Sequence, residues 1–129
     1  MMKLGSRIFL ALGILLLTPL AASAQVLPSF STWVNQRTST LSVGFVNGNH
    51  FDGTFINRAA GFQCQNIPYP VTGGTILPNG AITFVVSFTE CDTVTIWRGH
   101  VAGSQMPTSW ILYYRGIQRQ TGNDLFKKM

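Results

Sequence analysis

Beyond the first two dozen residues, no stretch of this chain sustains a helical period. Turn signals cut it into about eight short runs that alternate apolar and polar residues. Side chains on a strand point to opposite faces in turn, so such runs read as half-buried strands. The cleanest is Ala81 to Thr89, with Ile82, Phe84, Val86 and Phe88 on one side. Many short strands with tight turns and no crossover helices fit an all-β sandwich or an eight-stranded antiparallel up-and-down β-barrel, and sequential meander connections favour the barrel.

Taken in order, the strand pattern opens in Ser31 to Val43, two short strands joined by the polar turn Gln36-Arg37-Thr38. Trp33 and Asn35 share one face, and Ser39 shares another with Leu41 and Val43. Asn47-Gly48 is a strong hairpin signal, followed by Phe51 to Asn57, where Phe55 and Asn57 lie on one face. Arg58 to Tyr69 is the one long irregular segment, and Pro70 to Leu77 is a strand interrupted by Gly73-Gly74, a bulge signal. After Pro78-Asn79-Gly80 and Ala81 to Thr89, the run Thr93 to Val101 places Thr93, Thr95 and Trp97 together. Ala102 to Pro107 turns the chain, Thr108 to Gly116 aligns Trp110 with Leu112, and a polar loop leads to a last short strand at Asp124 to Lys128.

The first 24 residues read differently. Lys3 and Arg7 precede an apolar run from Ile8 to Leu17, and Ala22-Ser23-Ala24 offers a small-x-small cleavage site. That is the pattern of a secretory signal peptide, and the run is about half the ~20 residues a spanning helix needs. Cleavage before Gln25 leaves one domain, residues 25–129, long enough for a single modest core and with no further hydrophobic span. The expected location is secreted or periplasmic, without a membrane anchor.

Removing Lys3 and Arg7 turns nine basic residues into seven against four acidic ones, so +5 becomes +3. Arg37, Arg58, Arg98, Arg115 and Arg119 are scattered, and only Lys127 and Lys128 adjoin. A nucleic-acid groove needs a basic stripe interleaved with aromatics, which this is not. Cys64 and Cys91 are the two cysteines, and an even count in an exported chain favours a disulfide. They match no metal-ligand spacing with the isolated His50 and His100, and no histidine motif partners a catalytic cysteine.

The inward faces collect all three tryptophans, Trp33, Trp97 and Trp110, with Phe55, Phe88 and Leu112. The same faces carry Asn35, Ser39, Asn57, Thr93 and Thr95. A plain core accounts for the aromatics. It does not account for so many inward polar groups near strand ends, because buried polar groups without partners are disfavoured. Aromatic walls with a few convergent polar groups describe a small-molecule pocket. An inhibitor or protein-interaction barrel presenting the Arg58 to Tyr69 loop is the other reading. Paired carboxylates, a Ser-His-Asp order and metal motifs are all missing, so the site binds rather than catalyses.

Several segments, taken in order, carry a family resemblance. They are Ser31-Thr-Trp-Val-Asn-Gln36 with Ser39-Thr40, Gly53-Thr-Phe-Ile-Asn-Arg-Ala59, and Gly61 to Gly73. Thr93-Val-Thr-Ile-Trp97, Thr108-Ser-Trp-Ile-Leu112 and Gly122-Asn-Asp-Leu-Phe126 continue it. The chain resembles the avidin–streptavidin family, and within it the short-chain dimeric bacterial avidins of the rhizavidin type. The resemblance implies a barrel holding D-biotin at its open end, with no cofactor. Asn35 and Ser39 would donate to the ureido oxygen, and Asn57 and Asp124 would accept from its two N–H groups. Thr95 would approach the thioether sulfur. Thr93 would hold the carboxylate with backbone amides of the Asn57 to Gly61 turn. Trp97, Trp110, Phe88 and Leu112 would form an apolar box with Trp33 beneath.

Three positions depart from the family's pattern. Phe55 replaces the usual tyrosine, whose hydroxyl is a third donor to the ureido oxygen. Arg37 occupies a turn position that is usually small or apolar. No tryptophan lies between Trp110 and Asp124, where tetrameric members carry one that caps a neighbour's ligand. Val85, Val94, Ile96, Ile111 and Tyr113 fall on outward faces and form an apolar patch large for a lone barrel. Together with the missing tryptophan, the patch implies a homodimer.

Overall fold

Period-two alternation fills the barrel from within. In the computed structural model, which describes residues 26–129, the run Ala81–Phe88 buries every second residue, and Phe84, Val86 and Phe88 lose all solvent contact. The strands are β1 (Thr32–Val34), β2 (Thr40–Asn47), β3 (His50–Ile56) and β4 (Pro68–Ile76), then β5 (Ala81–Phe88), β6 (Thr93–His100), β7 (Gln105–Tyr114) and β8 (Ile117–Lys128). Each pairs antiparallel with the next, and β1 also pairs with β8, which closes an eight-stranded barrel. A single 3-10 turn, Thr89–Cys91, links β5 to β6. The signal peptide expected over residues 1–24 lies outside the described residues.

Rings fill one end of the interior. Phe84 and Trp97, opposite each other on β5 and β6, stack with centroids 5.0 Å apart, and Phe55 sits 4.7 Å from Trp97. Phe126 and Phe51 complete this aromatic layer against Phe84. With eight strands a barrel has little spare interior. Rings at one end therefore leave interior space towards the other, where β2, β6 and β8 begin and β3, β5 and β7 end.

Local chemistry sets most turns. The β2–β3 hairpin closes through Gly48 and Asn49, with Asn47 paired to His50 and Gly48 at φ 62°. The turn thus sits one residue later than the Asn47-Gly48 signal suggests, because glycine at the first central position suits a type II′ turn. The bulge expected at Gly73-Gly74 is present: the β4–β5 register shifts between Thr72 and Thr75, and Gly73 has φ 58°.

Two strands run longer than the sequence pattern implies. β7 begins at Gln105 rather than Thr108, and β8 spans 12 residues from Ile117 instead of starting at Asp124. The segment Gln118 to Asn123 looks like a loop because it has no buried apolar face. Its backbone nevertheless pairs with β7, with Leu112 opposite Gln120 and Trp110 opposite Gly122. Its polar side chains face solvent outside and the barrel mouth inside.

The long segment between β3 and β4 is held down at Cys64, which is disulfide-bonded to Cys91 with Cα atoms 6.2 Å apart. The disulfide expected from the cysteine count is therefore present. It ties this loop to the 3-10 turn beside the barrel mouth.

Candidate functional site

Barrel closure leaves a cavity of about 690 Å³ at the open end. It is lined by Asn35, Ser39, Phe55, Asn57, Thr95, Trp97, Trp110, Leu112 and Asp124, nine of the twelve residues expected to contact a ligand. The remaining three are not part of the lining. Trp33 is fully buried, and its indole N–H is committed to Ser31 Oγ at 2.9 Å. Phe88 is also fully buried, covered by Phe62 and Tyr69 with ring centroids 5.0 and 5.1 Å away. Thr93 is half-buried at the start of β6, and its hydroxyl has no hydrogen-bond partner among the described residues.

The polar side chains are fixed by their neighbours. The turn from Asn35 to Ser39 folds back so that Asn35 Oδ1 accepts the backbone N–H groups of Arg37 and Ser39, each at 2.9 Å. Those bonds identify the oxygen end of the amide, leaving its NH₂ as the uncommitted donor. Ser39 Oγ accepts the Arg58 N–H at 2.8 Å, so its own proton remains free to donate. Two donors, both on buried residues, are thereby set side by side on one wall.

Acceptors stand elsewhere on the cavity wall. Asn57 Oδ1 takes the Ala59 N–H at 2.9 Å, which fixes the amide and leaves the oxygen a second lone pair. Asp124, whose side chain is only 2% exposed, receives the Trp97 indole N–H on Oδ2 at 2.9 Å. Its Oδ1 receives Gln36 Nε2 at 3.1 Å and Arg37 Nη1 at 2.5 Å. A buried carboxylate needs such partners. Gln36 also accepts the Leu125 N–H at 2.9 Å, so one side chain fastens the first turn to β8.

Trp110 lies flat over Gly122 on the neighbouring strand. A Cβ at Gly122 would come within 2.4 Å of the indole ring, so glycine is required for this wall to form. The Trp110 indole N–H has no partner among the described residues.

Phe62 and Gln120 line the cavity although the sequence reading does not name them. Arg58, Ala59, Ala60 and Gly61 line it with the Asn57 to Gly61 turn, which is expected at the ligand's carboxylate, and Arg37 completes the rim at the departing turn position. Gln120 was legible in principle, since it shares the parity of Asp124 and Gly122 once β8 is read as continuous. Phe62 had a weaker signal: it stands two residues from a cysteine that has to reach across the chain. Among the described residues no group of His, Cys, Asp or Glu could hold a metal ion.

A model of the Avidin family matches residues 23–128. Afifavidin from Afifella pfennigii is 39% identical over 107 aligned residues, covering 74% of this chain. The chain spans 66%, about two thirds, of afifavidin's length. Hoefavidin from Hoeflea phototrophica is 32% identical over 119 residues, covering 79% of this chain and 73% of its own. Among solved structures, the bradavidin2–biotin complex superposes with a TM-score of 0.73 at 43% identity, covering 80% of this chain and 99% of bradavidin2. The residues matched by the family model, 23–128, include all eight strands. This chain belongs to the avidin family.

Proposed function

We propose that this protein binds D-biotin, without catalysis, in the cavity at the open end of the barrel. The observation that carries this reading is the split of polar groups inside one apolar cavity: two fixed donors, Asn35 Nδ2 and Ser39 Oγ, and two fixed acceptors, Asn57 Oδ1 and Asp124. A ureido group has one oxygen needing donors and two N–H groups needing acceptors, so the set is complementary to it. Trp97, Trp110, Leu112 and Phe55 supply the apolar surround, and Thr95 faces the thioether. Thr93, whose hydroxyl is without a partner, and the backbone of the Asn57 to Gly61 turn receive the carboxylate tail. Trp33 and Phe88 support these walls from behind. Because the groups are already held on strands or by backbone bonds, little ordering is left for binding to supply. The solved bradavidin2–biotin complex is additional support.

We further infer that the protein is an exported homodimer. The disulfide fits an oxidising compartment, secreted or periplasmic. Val85, Ile96 and Ile111 pair across β5, β6 and β7, and Val94 pairs with Tyr113, forming one half-exposed apolar patch on the outside of the barrel. A two-fold copy placed against it buries the same patch on both chains.

Titration calorimetry with biotin tests the central claim. One site per chain, with quenching of tryptophan fluorescence, is the expected result. A protein folded by circular dichroism that gives no heat and no quenching at micromolar biotin overturns it.

A further inference from the structure

One acceptor of the proposed ureido site, Asp124 Oδ1, is already engaged by one of the protein's own side chains. Arg37 reaches into the cavity from the β1–β2 turn, donates from Nη1 to Asp124 Oδ1, and lies with its guanidinium carbon 5.8 Å from the centre of the Trp110 ring. A guanidinium and a ureido group are alike in shape: each is a planar carbon bearing three heteroatoms, with an N–H edge. Here the guanidinium uses both the acceptor and the aromatic wall that the biotin reading assigns to the ligand. We propose that Arg37 is a tethered competitor for the ureido site and thereby a determinant of which ligands gain entry; the inference rests on the proposed function.

The two planar groups differ in one respect. A guanidinium has five donors and no acceptor, so it cannot satisfy the Asn35 amide and the Ser39 hydroxyl. A ligand that offers an N–H edge and a carbonyl oxygen together engages Asp124 and both donors. A ligand with only an apolar or only an anionic group meets Asp124 closed off by a cation. The exchange therefore favours cyclic ureas and lactam-like ligands over apolar ones that would otherwise suit the aromatic walls.

The displacement is local. The Arg37 backbone N–H stays bonded to Asn35 Oδ1, and the turn is held by the Asn35 N–H on the Ser39 carbonyl at 3.0 Å. Only the Arg37 side chain has to move, and it is already 40% exposed at the rim. Once Arg37 leaves, Gln36 and Trp97 still hold Asp124 in place. A partly exposed ion pair and a cation–π contact are each weak. Together they leave the open form a minor fraction, which lowers apparent affinity by that fraction, about five- to thirtyfold.

Arg37→Ala, with Arg37→Gln as a second variant, is compared with wild type using biotin amide, whose neutral tail removes direct attraction to the basic rim. The expected result is about five- to thirtyfold tighter binding in the variants. Wild-type affinity should also rise with sodium chloride, which screens the ion pair, and this salt dependence should vanish in the variants. If Arg37 merely braces Asp124, the sign reverses: unchanged or weaker binding by both variants overturns the proposal. Nitrogen-15 spectra of the ligand-free wild type give a second readout. Slowly exchanging Arg37 guanidinium signals that change on adding biotin amide support the proposal, and freely exchanging signals in the ligand-free protein overturn it. Failure of wild type and both variants alike to bind sinks the biotin reading instead, and the ligand-free spectra still decide whether Arg37 occupies the cavity.

Discussion

Phe55 is fully buried, lines the cavity and packs 4.7 Å from Trp97. Its ring brings apolar surface but no donor to a site where Asn35 and Ser39 supply two. A tyrosine at this position would place a hydroxyl inside the site. One further hydrogen bond to the ureido oxygen is worth about 0.5–3 kcal/mol, so Phe55→Tyr should bind biotin roughly 2- to 150-fold more tightly. Dissociation of labelled biotin checks this: the gain should appear as slower release, and equal or faster release contradicts the donor count. At this scale strand parity located Asn35, Ser39, Thr95 and Trp97 on the cavity side, because alternation is a local property. Parity gives the face but not what lies on top of it. Phe88 points inward as expected, yet it is covered by Tyr69 near the start of β4 and by Phe62, which comes from the segment that carries no regular pattern.

That segment, between β3 and β4, is the element on which the mouth depends. Its ends are anchored by Asn57, whose carbonyl accepts the Asn66 N–H at 2.7 Å, and its middle is anchored by the disulfide. The bridge closes a loop with a sequence separation of 27, and chain entropy predicts a loss of about 3–4 kcal/mol when both cysteines are replaced by alanine. Urea denaturation measures that loss. Biotin should also leave the double variant faster, because Phe62 and the Ala59 to Gly61 turn are no longer pinned over the ligand. A second anchor is the Tyr69 hydroxyl, which donates to Glu90 Oε2 at 2.6 Å. Burial first, and then the hydrogen bond and charge of Glu90, raise the Tyr69 pKa above 10.0. A phenol whose folded pKa exceeds its unfolded value contributes stability that is complete below about pH 10 and is lost as pH climbs through the folded pKa. Denaturation midpoints followed upward from pH 9 should fall more steeply for wild type than for Tyr69→Phe. Parallel curves would show that this bond does not hold the loop.

The homodimer proposed for the whole molecule rests on the outward patch on β5, β6 and β7. Ile96 is central, opposite Val85 on one side and Ile111 on the other. Light scattering should report two chains per particle for wild type and one for Ile96→Arg, since a lone charge at the middle of an apolar interface goes unpaired. A stable wild-type monomer would contradict the two-fold assembly. At this scale too, the strand number, the meander order, the inward faces and the cysteine pair were legible in the residues alone, since period two, turn chemistry and an even cysteine count all operate over short spans or without geometry. The extent of β8 and the contact between Arg37 and Asp124 depend instead on closure of the barrel. Residues 118–123 are polar on both faces, so nothing local marks them as strand, and only pairing with β7 does so. Arg37 and Asp124 stand 87 positions apart, and no periodicity relates them. They meet because β1 pairs with β8 when the barrel closes, which sets the first turn and the last strand against the same cavity.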